Sequence, residues 1–173
     1  MKLHTMLFLS IVLLAGCSKP KPEEYVGKAT VAINERNFAL AIEEYEKLIK
    51  DHPDSPQAEE ALFTIGKIQS DELKEFPKAI ETYKRYAAAY PNGKQAPLAL
   101  FLTAYVYHSE MNDLANAKTA YEAFLAKYPD HEMAASAKFE IANLGKSPED
   151  LLPTIQETGQ QTAAKTTKPT KKN

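Results

Sequence analysis

Through the middle of the chain apolar residues return every three or four positions, in blocks interrupted by prolines. Phe38, Ala41, Ile42, Tyr45, Leu48 and Ile49 share one face of a helix, and Ala58, Ala61, Leu62, Ile65 and Ile68 do the same after the break at Pro53. That period is helical, not the alternation of a strand. It predicts helices near 23–35, 38–51, 56–71, 77–89, 95–110, 115–127 and 132–144. Proline ends one helix because it lacks the N–H the next turn needs and pushes the preceding residue out of the α region. Ser55-Pro56 then reads as an N-cap followed by a first-turn proline, and Asp113 as a second N-cap.

The blocks repeat. "FALAIEEYEKLIKDHP", "FPKAIETYKRYAAAYP" and "LANAKTAYEAFLAKYP" begin at Phe38, Phe76 and Leu114, 38 residues apart each time. Superposed, they align Ala41, Ala79 and Ala117; Tyr45, Tyr83 and Tyr121; Leu48, Tyr86 and Phe124; and Pro53, Pro91 and Pro129. Beyond the prolines, Phe63, Phe101 and Phe139 align, as do the small residues Gly66, Ala104 and Ala142. Small residues let two helices cross closely, and aromatic residues fill the space beside the crossing. A single hairpin cannot bury both of its apolar faces, so neighbours must stack.

These residues resemble the tetratricopeptide repeat. Its A-x3-F is present as A-x3-Y in all three copies, each followed by its proline; its opening is present as Leu62-x2-Ile65-Gly66 and as Leu100-x2-Thr103-Ala104-x2-Tyr107, and more weakly as Tyr25-x2-Lys28-Ala29. Tryptophan is missing and Tyr replaces Phe, yet bulk and smallness are kept. The repeat exceeds the usual 34 residues by about one helical turn. The resemblance, which covers roughly 23–145, implies an all-α solenoid of helical hairpins, about seven helices, and the repeat domain is expected over 23–158. A short eighth turn is expected at Ser147-Pro148-Glu149-Asp150, which reads as a capping box limited by Pro153.

The N-terminus follows another pattern. A charged Lys2, the apolar run "MLFLSIVLL" and "LAGC" read as a secretory signal, too short for a spanning helix. "LAGC" resembles a bacterial lipobox, which implies cleavage after residue 16 and lipid attachment at Cys17, the chain's one cysteine. Ser18 resembles an outer-membrane sorting signal. Residues 17–22 are expected to be a polar lipidated tether, since two prolines and no large apolar residue argue against packing. Residues 159–173 carry four lysines and no large apolar residue, and are expected to be disordered.

Charge narrows the function. Residues 17–158 hold 16 basic and 23 acidic side chains, net −7, so the body has no basic field for nucleic acid. His52, His108 and His131 fall in different repeat columns without a second ligand at metal spacing. His52 stands where the other copies have Tyr90 and Tyr128, a packing position. No phosphate loop, nucleophile elbow or H-E-x-x-H occurs. No enzyme activity, cofactor or small-molecule substrate is therefore expected.

What remains is surface. The resemblance implies a concave groove lined by the first helix of each hairpin and holding a protein segment. Its partner-binding candidates are Phe63, Lys67, Phe101, Tyr105, His108 and Phe139. For the three phenylalanines, inter-helix core and groove are both open. Tyr105 and His108 lean towards the groove. The expected whole is a non-enzymatic scaffold anchored to the outer membrane and facing the periplasm. It resembles the lipoprotein subunit of the β-barrel assembly machine and the repeat domain of the Tol-Pal-associated coordinator; an adaptor for a peptidoglycan-active enzyme or secretion apparatus is the alternative.

Overall fold

A computed structural model describes residues 19–147 and Asp150. The signal segment, Cys17 and the lysine-rich tail lie outside the described residues. Among the described residues seven α-helices follow in order: α1 (Pro22–Asn34), α2 (Phe38–Asp51), α3 (Pro56–Lys67), α4 (Phe76–Ala89), α5 (Ala96–Tyr105), α6 (Leu114–Lys127) and α7 (Ala134–Asn143). Each packs on the next, giving the hairpins α1/α2, α3/α4 and α5/α6, with α7 closing the stack. This is the expected all-α solenoid.

The sequence did not announce the ends of α3 and α5. Each runs on into one π-helical turn, Ile68–Glu72 and Val106–Glu110. The wider turn buries Gln69, whose Oε1 accepts from the Thr82 hydroxyl at 2.7 Å. After each first helix comes a left-handed residue: Arg36, Lys74 and Asn112, with φ of 57°, 55° and 50°. Non-glycine residues resist this conformation. It is held because the next N–H reaches far back, Glu75 to the Gln69 carbonyl at 2.7 Å and Asp113 to that of Tyr107 at 2.8 Å. Bonds of this long reach close a helix C-terminus and turn the chain. The second helices then start on caps: Asn37 accepts from the Leu40 N–H at 3.2 Å and Asp113 from that of Asn116 at 3.1 Å. Ser55 caps α3 in the same way through Ala58.

The repeat columns are the core. Ala41, Ala79 and Ala117 are completely buried, as are Leu48, Tyr86 and Phe124. Tyr83 lies so close to Gly66 that a β-carbon there would sit 2.7 Å from its ring. Phe63 packs edge-on to Tyr86, and Phe101 edge-on to Tyr121 and Phe124. The helix-ending column fastens each hairpin to a neighbouring segment. Tyr90 donates to the Pro53 carbonyl at 3.1 Å and Tyr128 to that of Pro91 at 3.4 Å. His52, in the same column, places Nε2 2.7 Å from the Pro20 carbonyl, so this nitrogen carries the proton.

That last contact falls within the polar tether expected over 17–22, of which residues 17 and 18 lie outside the described residues. From Lys19 onward the chain is held to the end of α2, and α1 already begins at Pro22. The Lys19 ammonium lies 3.3 Å from Asp51, and the Tyr25 hydroxyl donates to Asp51 at 2.6 Å. At Lys19 and Pro20 polar contacts do the holding, which a search for apolar residues does not see, while Tyr25 is also buried in the core. At both ends of the stack an apolar face is left bare: Val31 and Leu40 are 55% and 38% exposed at one end, and Phe139 is 51% exposed at the other.

Two outcomes follow. Gly27, exposed in α1 with open space around its α-carbon, should gain about 0.5–1 kcal/mol as Gly27→Ala, since alanine loses less backbone entropy. Ala79→Leu should overpack the buried crossing and cost about 1–3 kcal/mol, whereas Ala88→Leu, on the exposed face of α4, should stay within about 0.5 kcal/mol. Equal melting shifts for the two α4 variants would contradict the register.

The Tyr25–Asp51 bond sets a pH window. The hydrogen bond from Tyr25 holds the Asp51 carboxyl below its ordinary value, and the same bond pushes the Tyr25 phenol up to about 12. Asp51 therefore stabilises the fold above the ordinary carboxylate range, and that contribution fades as pH falls through its lowered value. Tyr25 contributes below pH of about 10, and the contribution fades as pH rises towards 12. The difference in melting temperature between wild type and Tyr25→Phe should be greatest between these limits and shrink beyond both. A difference that does not vary with pH would show that the bond is not made in solution.

Candidate functional site

The first helices α1, α3 and α5 share one side of the stack, and concavities open between them. The larger, about 470 Å³, is lined by Pro56, Glu59, Glu60, Phe63, Thr64 and Lys67 of α3, by Tyr86 of α4, and by Lys94 and Gln95 before α5. A smaller one of about 190 Å³ lies between α1 and α3, around Val26, Thr30, Tyr45 and Gln57. Glu60 and Thr64 border both, so the two make one interrupted trough.

The floor of the larger concavity is built with care for its polar groups. The Tyr86 hydroxyl donates to Glu59 at 2.6 Å and accepts from the Gln95 N–H at 3.3 Å. Burial, aided by the bond to Glu59, pushes the Tyr86 phenol well above its ordinary value. It stays a neutral donor, not a base. The turn that carries Lys94 and Gln95 reaches this pair only because residue 93 is glycine: a β-carbon there would lie 2.5 Å from Glu59 Oε1 and 2.9 Å from the Tyr86 oxygen. The trough thus offers ammonium groups at Lys67 and Lys94 beside the carboxylates of Glu59 and Glu60, over the edge of an aromatic floor.

The sequence-derived candidates divide. Lys67 is exposed and lines the trough. Tyr105 stands one repeat later in the same register and is 42% exposed. Phe63 is 8% exposed; it lies between Tyr83 and Tyr86 and shows the trough only an edge. Phe101 is half-buried against α6. For both, inter-helix packing is the reading the structure favours over groove lining, because the second helix of the same hairpin brings aromatic rings onto them. Phe139 holds the same register, but no described second helix follows α7, so its ring is half bare.

His108 sits on the π turn after α5, half-buried, with Nδ1 3.3 Å from Glu140 Oε2 of α7. The contact is an ion pair only when the imidazole is protonated. Near it the Tyr121 hydroxyl is buried without a hydrogen-bond partner among the described residues. Burial raises the Tyr121 phenol first, and Glu140 adds to the shift. His108 is therefore part of the α5/α6/α7 junction as much as of any open surface. Glu59, Tyr86, Gly93, Lys94 and Gln95 were missed by repeat reading. Glu59 matches Lys21, Pro97 and Ala135 in the other copies, so no column flags it, and the Gly93 turn gains meaning only from what it touches.

Among the described residues no group of three or more His, Cys, Asp or Glu gathers as a metal site, and no helix is long and apolar enough to cross a membrane.

The comparisons agree on the fold. Residues 26–94 match one tetratricopeptide repeat family model and residues 98–131 match a second. Together the matches cover more than half of the chain. No curated protein matches. Among solved structures, a tetratricopeptide repeat protein from Parabacteroides merdae ATCC 43184 is similar, with a TM-score of 0.50 and 20% identity. The alignment covers 64% of this chain but 41% of that one, so this chain spans about two fifths of that protein's length. At that identity the likeness is one of fold.

Because the exposed position of Tyr105 leaves little packing to lose, Tyr105→Ala should shift stability by no more than about 0.5–1 kcal/mol, where a buried tyrosine would cost about 3–5 kcal/mol. Thermal melting of the single variant reads this directly, and a loss in the larger range would place Tyr105 in the core.

Proposed function

Because the chain belongs to the tetratricopeptide repeat family, we propose that it is a non-enzymatic scaffold that holds a protein segment along the first-helix trough. The observation that carries this is the trough itself: a concavity of about 470 Å³ with satisfied polar groups in its floor and the exposed Lys67 on its wall, continued in register by the exposed Tyr105. Aromatic and charged side chains in such a place are effective anchors, since they bring large contact area and directed bonds. Nothing in the trough resembles a nucleophile with its base; its tyrosine is held neutral. We further propose, from "LAGC" and Ser18, that the scaffold is anchored through lipid at Cys17 to the outer membrane and works in the periplasm. Assembly of outer-membrane proteins or maintenance of the envelope is the role we favour. It rests on the lipobox and on resemblance to the assembly-machine lipoprotein; the Tol-Pal-associated coordinator and an adaptor for a peptidoglycan-active enzyme are rivals within the same scaffold class.

Cross-linking in intact cells, followed by capture, tests the trough. Tyr105→Ala should weaken recovery of the captured partner by about 1–3 kcal/mol of affinity while melting as wild type does. A stable Tyr105→Ala protein that captures partners undiminished would remove Tyr105 from the site. The anchor is tested separately: Cys17→Ala should abolish fatty-acid labelling and release the protein from the outer-membrane fraction. Undiminished labelling of that variant would refute lipidation at Cys17.

A further inference from the structure

The first hairpin carries another concavity, on the side of α1 turned away from the trough. It holds about 540 Å³ between α1 and α2, and is lined by Gly27 and Val31 of the first helix and by Leu40 and Glu44 of the second. Val26 and Thr30, which border the trough, lie on the opposite side of α1. The bordering residues of α1 run from Glu24 to Glu35, roughly three turns or 16 Å. A groove of that length between antiparallel helices matches an amphipathic helix, which sets its apolar face into such a groove.

Packing within the described residues does not explain two of these positions. Gly27 stands in the middle of α1, where glycine costs backbone entropy. Nothing lies within 4 Å of where its β-carbon would be, so no contact of the fold asks for a glycine there. Its missing side chain leaves the floor open to the close approach of another backbone. Glu44 is the second. It is 6% exposed, and its counterparts in the other copies are Thr82 and Ala120. Its Oε1 accepts from the Lys47 ammonium at 2.6 Å, but its buried Oε2 has no hydrogen-bond partner among the described residues. The Lys28 ammonium stands 4.0 Å off on a side chain that is 60% exposed. A buried carboxylate oxygen is costly until a donor meets it.

Charge selects the occupant. Among the described residues that line the groove, the carboxylates of Glu24, Glu35 and Glu44 outnumber the one ammonium of Lys28. A second copy of this chain would set the same acids against one another, and an anionic lipid surface would be repelled. Residues 159–173 hold lysines but no large apolar residue to cover Val31 and Leu40. The groove suits an occupant that is apolar and cationic on one face.

We propose that the α1/α2 groove docks an amphipathic helix of a partner protein with a lysine or arginine in its apolar face. Its apolar side chains cover Val31 and Leu40, its backbone passes close to Gly27, and its cation meets Glu44 Oε2 as Lys28 turns aside. This surface is separate from the trough.

The probe is a labelled synthetic peptide of about 14 residues, long enough to span the groove. It consists of alanine and leucine with one lysine midway along the leucine face, and a hydrocarbon staple on the far face holds it helical. The full chain should bind it, and Glu44→Gln should weaken binding about tenfold. Gly27→Leu fills the groove where the fold leaves open space, so it should abolish binding without lowering the melting temperature. Norleucine in place of the peptide's lysine should weaken binding about as much as Glu44→Gln does, and Tyr105→Ala should change nothing. Failure of the lysine peptide to bind the wild-type chain overturns the proposal. So does binding that survives Gly27→Leu, or binding that Tyr105→Ala removes, which would assign the peptide to the trough. A wild-type chain that sediments as a dimer, and as a monomer once Gly27→Leu is made, would give the groove to a second copy and overturn it as well.

Discussion

The contact of a large ring with a small residue across each helix pair is what the rest of this structure depends on. Tyr83 can lie against Gly66 only because there is no β-carbon to meet it. The close approach brings Tyr86 over Phe63, buries Ala79 and fixes the spacing of α3 and α4. From that spacing comes the separation of the next first helix, and with it the trough between α3 and α5. Its floor is the back of the same packing: the Tyr86 ring is core, while its hydroxyl faces Glu59 and the turn at Gly93. One residue thus joins hairpin stability to the geometry of the surface the scaffold offers.

Energy in such a stack is local. Each hairpin meets only its neighbours, so the whole behaves as a row of coupled units. The polar fastenings respect that order. Tyr90 and Tyr128 each tie to a carbonyl at the end of the preceding hairpin, and Arg85 clasps Glu46 across the second helices with two bonds of 2.6 and 2.9 Å. The Arg85 pair is half exposed and contributes at most about 1 kcal/mol. Its value lies in orientation, because a planar fork accepts the carboxylate in few geometries.

The columns at a spacing of 38 made most of the fold legible, since repetition exposes which positions must be large and which small. The helix ends were nearly as clear at Ser55 and Asp113, where cap and proline speak together. Three things were hidden. The π turns at Ile68–Glu72 and Val106–Glu110 change neither residue class nor period enough to show. The strap at Lys19 and Pro20 rests on polar contacts that a search for apolar residues passes over. The site was the least legible part. The phenylalanine column looked the same whether it faced the core or the groove, and only the positions of Tyr86 and Phe124 decided it. Glu59 and Gly93 had no counterpart to mark them, because the trough occupies one inter-hairpin space and the repeat speaks for what all of them share.

The strap has a mechanical meaning. Pulling on the chain at Lys19 loads Lys19–Asp51 and Pro20–His52 before it reaches Tyr25, whose ring is part of the core and whose hydroxyl bonds to the same Asp51. These two contacts end on Asp51 and His52 at the close of α2, so the load they carry passes round α1 to the far end of the first hairpin. The strap works as a strain relief, like the clamp on a cable: load is spent on replaceable polar bonds before it reaches the helices behind them.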